Sequence, residues 1–455
     1  MLTSTLRRCT SSPLLRRALL HSSRPLLRSS AAESPSDAAV MTSLLDGSLS
    51  HHRLEQELGN AERAVRVRRT YFEATSAASD MPIGFGGLPL DGIESNDFYE
   101  SVVGTNCENV IGYVPIPVGM VGPLVLDGQT LHVPLATTEG ALVASTNRGA
   151  RAISAAGGAV SALLNDGMTR APLLACVDLP QAAALKAFCE DPVKLAELQQ
   201  VFSTTSRFGK LIDIKVAIAG RHAFPRFRCS TGDAMGMNMV GKGVNTVVEH
   251  LVSHFPGCEL LALSGNYCTD KKPSAVNWID GRGKSVAVEA VIPAAIVRSV
   301  LKAEPTRVAE VNLHKNLVGS ALAGSLGGFN AHASNNVTAV YLACGQDPAQ
   351  NVESSTCITT VETVPTADGD HDLRIACTMP SVECGTVGGG TSLPGQKACL
   401  QMLGIQGSGE VPGANAQRLA CIVAATVLCG ELSLLSALSS NHLISAHLAL
   451  NRRPK

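Results

Sequence analysis

Two runs near the middle of the chain decide its fold: Leu211-Ile212-Asp213-Ile214-Lys215-Val216-Ala217-Ile218-Ala219, and, after a Gly220-Arg221-His222 turn, Ala223-Phe224-Pro225-Arg226-Phe227-Arg228-Cys229-Ser230. Their alternation of apolar and polar residues predicts two strands joined by a tight connection. Working outward, residues 173–178 read as a short apolar strand. Residues 181–200 carry helical spacing through Ala184, Leu185, Phe188, Leu195 and Leu198. On the other side, Gly232-Asp233 opens a helix with an apolar face of Met235, Met239, Val244, Val247, Val248, Leu251 and Val252, and residues 259–263 close with a strand. The order β-α-β-β-α-β is the split, ferredoxin-like arrangement.

A larger unit surrounds it. Residues 139–156 predict a helix rich in glycine and alanine, 284–291 a strand, and 308–344 a helix broken at Gly324 to Gly328. Residues 357–364 and 373–378 predict strands, and 414–447 another helix. Residues 53–78 have helical spacing and many charges, and 34–49 read as a Ser/Ala/Asp/Pro linker. The class is α+β: a large helix-rich domain, an inserted ferredoxin-like domain and a small N-terminal helical region. Residues 419–438 are apolar enough to span a bilayer, but Glu431 among them would cost ~3 kcal/mol there. A buried helix of a soluble core is expected instead.

The chain has 455 residues, 45% apolar and 16% charged, which excludes a disordered tail and predicts two or three domains. Thirty-seven Lys and Arg balance 38 Asp and Glu, so no field favours nucleic acid or anionic lipid. The balance is uneven along the chain. Arg7, Arg8, Arg16, Arg17, Arg24 and Arg28 precede the first acidic residue, Glu33, in a Ser- and Leu-rich leader. That pattern is a mitochondrial transit peptide, with a matrix location expected, or a cytosolic one if the leader is inert. Fourteen Cys include no Cys-x-x-Cys pair, so reduced, buried thiols and no metal site are expected.

Residues able to carry chemistry are scattered. No Gly-x-Gly-x-x-Gly follows a strand, so a Rossmann nucleotide site is unsupported. Gly385-Thr386-Val387-Gly388-Gly389-Gly390-Thr391 could approach a phosphate or be a plain loop. The helix start at Asp233-Ala234-Met235-Gly236-Met237-Asn238 could hold an anion or pack methionines into the core. Lys271 and Lys272 in Asp270-Lys271-Lys272-Pro273, with Arg170 and Lys315, are four cations in weakly charged surroundings, which suits an acidic ligand. Glu139 would ordinarily cap a helix, Asp347 ends one against its dipole, and His447 would ordinarily lie on the surface.

A resemblance draws these together. Glu108-Asn109-Val110-Ile111-Gly112-Tyr113-Val114-Pro115-Ile116-Pro117-Val118-Gly119 and Thr138-Glu139-Gly140-Ala141-Leu142-Val143-Ala144-Ser145-Thr146-Asn147-Arg148-Gly149 resemble 3-hydroxy-3-methylglutaryl-coenzyme A (HMG-CoA) reductases. So do residues 233–238, Asn266-Tyr267-Cys268-Thr269-Asp270-Lys271-Lys272-Pro273 and residues 385–391. The likeness runs from about residue 53 to 452 and is strongest to the class I, eukaryotic type, in a soluble form without that type's N-terminal membrane region.

The resemblance implies reduction of HMG-CoA to mevalonate and free coenzyme A by two NADPH, the committed step of isoprenoid and sterol biosynthesis. It implies that Lys271 stabilises the oxyanion, Glu139 delivers a proton, Asp347 tunes both and His447 protonates the departing thiolate. Arg170, Ser264, Lys272, Lys315 and Asn335 match positions that hold the hydroxymethylglutaryl end. Ser206, Arg207, Asp233, Met237 and Asn238 match the NADPH site, with Arg207 facing the 2′-phosphate. Ser145, Asn147, Arg148, Arg151, Lys302, His332 and His442 match coenzyme A contacts. The implied domains are a transit peptide and linker (1–40), a helical region (41–107), a large substrate and dimerisation domain (108–171 and 264–447), the NADP domain (172–263) and a tail (448–455). A homo-oligomer is implied, a dimer of dimers, with sites shared between subunits and no nucleic-acid or integral membrane partner. Two departures stand out: His52 replaces a tyrosine that covers the adenine in animal members, and Arg453 replaces their phosphorylated serine.

Overall fold

The computed structural model describes residues 36–76, 84, 102, 106, 107 and 113–440. A small N-terminal unit ends at Tyr71, and the rest of the chain forms a second unit. In the first, α1 (Asp37–Leu45), α2 (Leu54–Leu58) and the start of α3 (Ala61–Ser76) bury Val40, Leu44, Leu54, Leu58, Ala64 and Val67. Helix α1 replaces the linker expected at 34–49. Ser36 caps it by accepting from the Ala39 N–H, and Asp37 adds a favourable charge to its first turn, so residues typical of linkers start a helix here.

The second unit contains a hairpin, β1 (Val118–Leu126) and β2 (Gln129–Ala136), followed by α4 (Leu142–Ala155) and β3 (Val160–Arg170). The ferredoxin-like part is β4 (Leu173–Ala175), α5 (Leu179–Glu190), α6 (Pro192–Ser203), β5 (Lys210–Ala219), β6 (His222–Ser230), α7 (Met237–His254) and β7 (Glu259–Ala262). Its antiparallel strands lie in the order β7-β4-β6-β5, as the split pattern requires. The helix expected over 181–200 is two helices. Pro192 cannot donate to the preceding turn, and Asp191 caps the new helix by accepting from Val193 and Lys194.

The main remaining elements are α8 (Ala275–Asp280), β8 (Gly283–Ile292), α9 (Pro305–Val311), β9 (Gly328–Phe329), α10 (Ala333–Ala343), β10 (Cys357–Pro365), β11 (His371–Val382), α11 (Pro394–Met402) and α12 (Ala414–Ser439), with a short helix, Asn351–Ser354, before β10. The two domains share one nine-stranded sheet. One edge of β6 pairs with β4 near its start and with β3 near its end, and β3 pairs onward to β8, β11, β10 and β9. The inserted domain is therefore welded to the larger one by backbone hydrogen bonds.

Helix α12 is apolar enough to cross a membrane, yet 94% of its most apolar window is buried inside the protein. It packs against α4 so closely that a Cβ at Gly149 would fall 1.9 Å from the Cys429 carbonyl oxygen. Glu431 within it is fully buried and accepts from the Ala331 and His332 N–H groups and the Thr359 hydroxyl, so it caps the start of α10. Every described cysteine is free, and all but Cys107 are buried.

Candidate active site

Residues 264–273 join the two domains, and they are held in an unusual backbone shape. Asn266, Thr269 and Lys271 have φ of 63°, 51° and 59°. Left-handed backbone at non-glycine residues costs of order 1–3 kcal/mol each and persists only where surroundings impose it. Here the Gly265 N–H donates to Ala171 O at 2.7 Å, the Thr269 hydroxyl meets Ser274 Oγ at 2.8 Å, and the Lys271 N–H donates to Glu353 Oε1 at 2.8 Å.

Glu353 belongs to a buried ionic cluster around Arg282, whose side chain is wholly inaccessible. Its guanidinium bonds Glu383, Glu353 at 3.0 Å and Asp270 at 3.1 Å, and it also donates to Thr169 Oγ1 and Met237 Sδ. Burial pulls the guanidinium down, but Glu383 and Asp270 outweigh it and hold its pKa above the usual value. Burial pushes Glu383 well above the usual carboxyl range and raises Glu353 too. Asp270 thus faces inward to Arg282, and the next residue, Lys271, is turned outward. Its ammonium meets Asp347 Oδ2 at 2.7 Å, a contact that raises the Lys271 pKa and keeps it charged.

Asp347 does not end a helix as expected. Gly345, at φ 68°, follows the end of α10, and Asp347 caps the following turn through the Ala349 N–H. The backbone dipole there favours the carboxylate. Glu139 also lies outside its helix, three residues before α4, and accepts from Asn335 Nδ2 at 3.2 Å. Glu139 with Asn335 sits at the start of α10 and Lys271 with Asp347 beyond its end, with about 12 Å of helix between Asn335 and Ala343.

The segment 232–238 and the glycine-rich residues 385–391 lie side by side. The Thr386 and Val387 N–H groups donate to Asp233 O, and a Cβ at Gly385 would fall 2.4 Å from the Met235 nitrogen. Helix α7 starts after Gly236 (φ 87°) with no side-chain cap, so its first N–H groups remain available to an anion beside a glycine-lined wall. Asp233 turns its carboxylate to the N–H groups of Gly409, Gly413 and Ala416, capping α12. Ser206 donates to Met239 Sδ at 3.1 Å, which sets it and exposed Arg207 beside the first turn of α7.

Two other sequence-predicted residues carry buried nitrogens that lack a protein partner, Arg170 Nε and His332 Nε2. An orphaned buried donor costs free energy unless a ligand meets it. Lys315 lies on the π-helical segment Asn312–Gly319 and is exposed, Lys272 donates to Asp270 O, and Ser264 Oγ lies 4.0 Å from Cys268 Sγ. Ser145 and Arg148 engage Ser433 of α12, Asn147 accepts from Gly122, and Arg151 is exposed. Lys302 (φ 57°) lines a cavity of about 340 Å³ with Arg298, Arg307 and Ser440. His442, His447 and Arg453 lie outside the described residues, as does the His52 side chain.

Sequence reasoning passed over Arg282, Glu353 and Glu383. The available signal was a lone charge in two segments otherwise poor in charge, Val352-Glu353-Ser354 and Val382-Glu383-Cys384; Arg282, between Asp280 and Lys284, gave none.

Comparison with known proteins points one way. The model of the hydroxymethylglutaryl-coenzyme A reductase family matches residues 64–452. A rice (Oryza sativa subsp. indica) protein named 3-hydroxy-3-methylglutaryl-coenzyme A reductase 1 is 55% identical over 417 residues, covering 91% of this chain and 75% of that one. Its namesake in Arabidopsis thaliana is 52% identical over 441 residues, covering 97% and 72%. Among solved structures, a class II 3-hydroxy-3-methylglutaryl-CoA reductase of Streptococcus pneumoniae, bound to NADPH, shares the fold. Its TM-score is 0.60 at 18% identity, over 89% of this chain and 97% of that one.

Arg282→Met leaves buried carboxylates without their counter-charge. The expected loss is about 3–5 kcal/mol of stability, read as a lower urea midpoint. An unchanged midpoint would show that the cluster is dispensable to the fold.

Proposed function

The chain belongs to the hydroxymethylglutaryl-coenzyme A reductase family, of the class I, eukaryotic type, and from that premise we propose how its residues carry the reaction. It is an NADPH-dependent oxidoreductase that converts HMG-CoA to mevalonate and free coenzyme A in the mevalonate pathway. NADPH supplies the hydrides when bound. The uncapped start of α7 against the glycine wall of 385–391 suits its phosphates, with Met237 and Asn238 in the first turn and Ser206 and Arg207 alongside. Asp233 serves there by fixing the loop to α12.

The observation that carries the reading is the Lys271–Asp347 pair at 2.7 Å, on a loop shaped from behind by Arg282 and Glu353. A charged Lys271 stabilises the oxyanion as each hydride arrives, and Asp347 keeps that ammonium charged and aimed. Glu139, steadied by Asn335, hands a proton to the reacting oxygen. His447 protonates the coenzyme A thiolate, a task suited to a group titrating near neutrality. Arg170, Ser264, Lys272 and Lys315 hold the acidic end of the substrate. Ser145, Asn147, Arg148, Arg151, Lys302, His332 and His442 line the coenzyme A path, where the orphaned His332 nitrogen and the cationic cavity at Lys302 suit a polar, phosphorylated ligand.

The two halves of this set lie at opposite ends of α10, so a homo-oligomer, a dimer or a dimer of dimers, completes each site with Glu139 from one subunit and Lys271 from the next. Exposed Val160 and Leu164 on β3 supply apolar surface for such pairing. The arginine-rich leader directs the chain to the mitochondrial matrix, on the strength of six arginines without an acid before Glu33.

Four outcomes test these assignments. His447→Gln should depress HMG-CoA reduction strongly while sparing reduction of free mevaldehyde, which expels no thiolate; Lys271→Ala should depress both, by ~3 kcal/mol of barrier or more. Equal slowing of the two substrates by His447→Gln would remove its thiolate role. Mixing inactive Glu139→Gln and Lys271→Ala chains should restore about a quarter of the activity if sites are shared, and none if each subunit holds a whole site. Arg207→Glu should raise the KM for NADPH far more than for NADH, and equal effects would separate Arg207 from the 2′-phosphate. A fluorescent fusion of the intact chain should enter mitochondria and one lacking the first 33 residues should not; cytosolic residence of the intact fusion would end the import reading.

A further inference from the structure

Cysteine spacing argued against a metal site, but it does not speak for histidines. His250 and His254 are four residues apart at the C-terminal end of α7, a spacing that puts both rings on one helix face. Glu197 of α6 faces them. Its Oε1 lies 2.8 Å from His250 Nε2 and 3.7 Å from His254 Nε2, and the three ligand atoms all lie within 4.8 Å of one another. We propose that Glu197, His250 and His254 form a binding site for a divalent transition-metal ion, zinc by the chemistry of the ligands.

The hydrogen bonds around the triad prepare it for a cation. His254 Nδ1 lies 3.0 Å from the His250 carbonyl oxygen, which can only accept, so Nδ1 carries the proton. Its Nε2 is then the nitrogen that faces Glu197 Oε1, and it is the one left to ligate an ion seated between them. A backbone carbonyl on the far nitrogen is also the usual support of a metal-bound imidazole. Phe188 packs against the His254 ring, and the two imidazole rings lie 4.4 Å apart, which limits their rotation. Glu197 divides its oxygens: Lys194 takes Oε2 at 3.2 Å and leaves Oε1 to the histidines.

Two imidazoles and one carboxylate, half exposed, leave a fourth position to water, which suits tetrahedral zinc with nitrogens about 2.0–2.1 Å from the ion. The observed separations need only small side-chain rotations to reach that geometry. The site stands about 25 Å along α7 from Met237, so an ion there would tie α6 to α7 and take no part in hydride transfer.

The test uses the reduced, chelator-treated full chain with zinc and cobalt as the probes. Competition against a chromophoric chelator should find one zinc bound at neutral pH, weakened at least tenfold by His254→Ala or Glu197→Gln, with reductase activity retained. Lys194→Ala should tighten binding several-fold, a gain that misfolding cannot imitate. Bound cobalt should show the visible bands of nitrogen and oxygen ligands without thiolate charge transfer. Equal stoichiometry and affinity in wild type, His254→Ala and Lys194→Ala, or a thiolate signature, would overturn the site.

Discussion

A single guanidinium in a dry interior organises the centre of this protein. Arg282 enters at the start of β8 between two glycines that adopt positive φ, and it gathers carboxylates from the 264–273 loop, from the short helix before β10 and from the end of β11. A buried cation must be paired, and three buried or half-buried acids must find a counter-charge; each requirement answers the other. The arrangement ties Asp270 down and leaves its neighbour Lys271 no direction but outward. A positively charged residue in a left-handed backbone conformation is thereby held at a fixed place by a cluster whose arginine and two of whose three acids are buried.

The same cluster joins the 264–273 loop to the start of α7. Arg282 also donates to Met237, in the first turn of α7, where the uncapped helix start faces the glycine-rich wall. The shared sheet reinforces that link, because β3 carries Thr169 to Arg282 while pairing with β6 of the inserted domain. The start of α7 and the loop that carries Lys271 are therefore related through rigid elements, the kind of preorganisation that electrostatic stabilisation demands. Glu431 performs a comparable task at the other end of α10, where a buried carboxylate caps the helix that presents Asn335 to Glu139.

Much of the frame was legible from residue order. Alternation in 211–230 and the helical stripe of 235–252 are local patterns, and the split β-α-β-β-α-β order follows from them because burying one face of each element leaves few arrangements. The break at Asp191-Pro192 and the helix at Ser36-Asp37 were written in local capping chemistry as well, though composition obscured them. The hairpin of β1 and β2 was missed because Gly119, Gly122 and Pro123 interrupt its alternation. For the site, long motifs carried Glu139, Lys271 and Asp347 by resemblance.

What residue order determined, then, was each element's type and the chemical capacity of each motif, since propensity, capping and periodicity act within a few residues. Only the tertiary structure decided which charges meet. Arg282 contacts Glu383 and Glu353 across 101 and 71 residues, Asn335 reaches Glu139 across 196, and His250 reaches Glu197 across 53. An ion pair depends on separation in space and on exclusion of water, and neither quantity exists until the sheet and helices have packed.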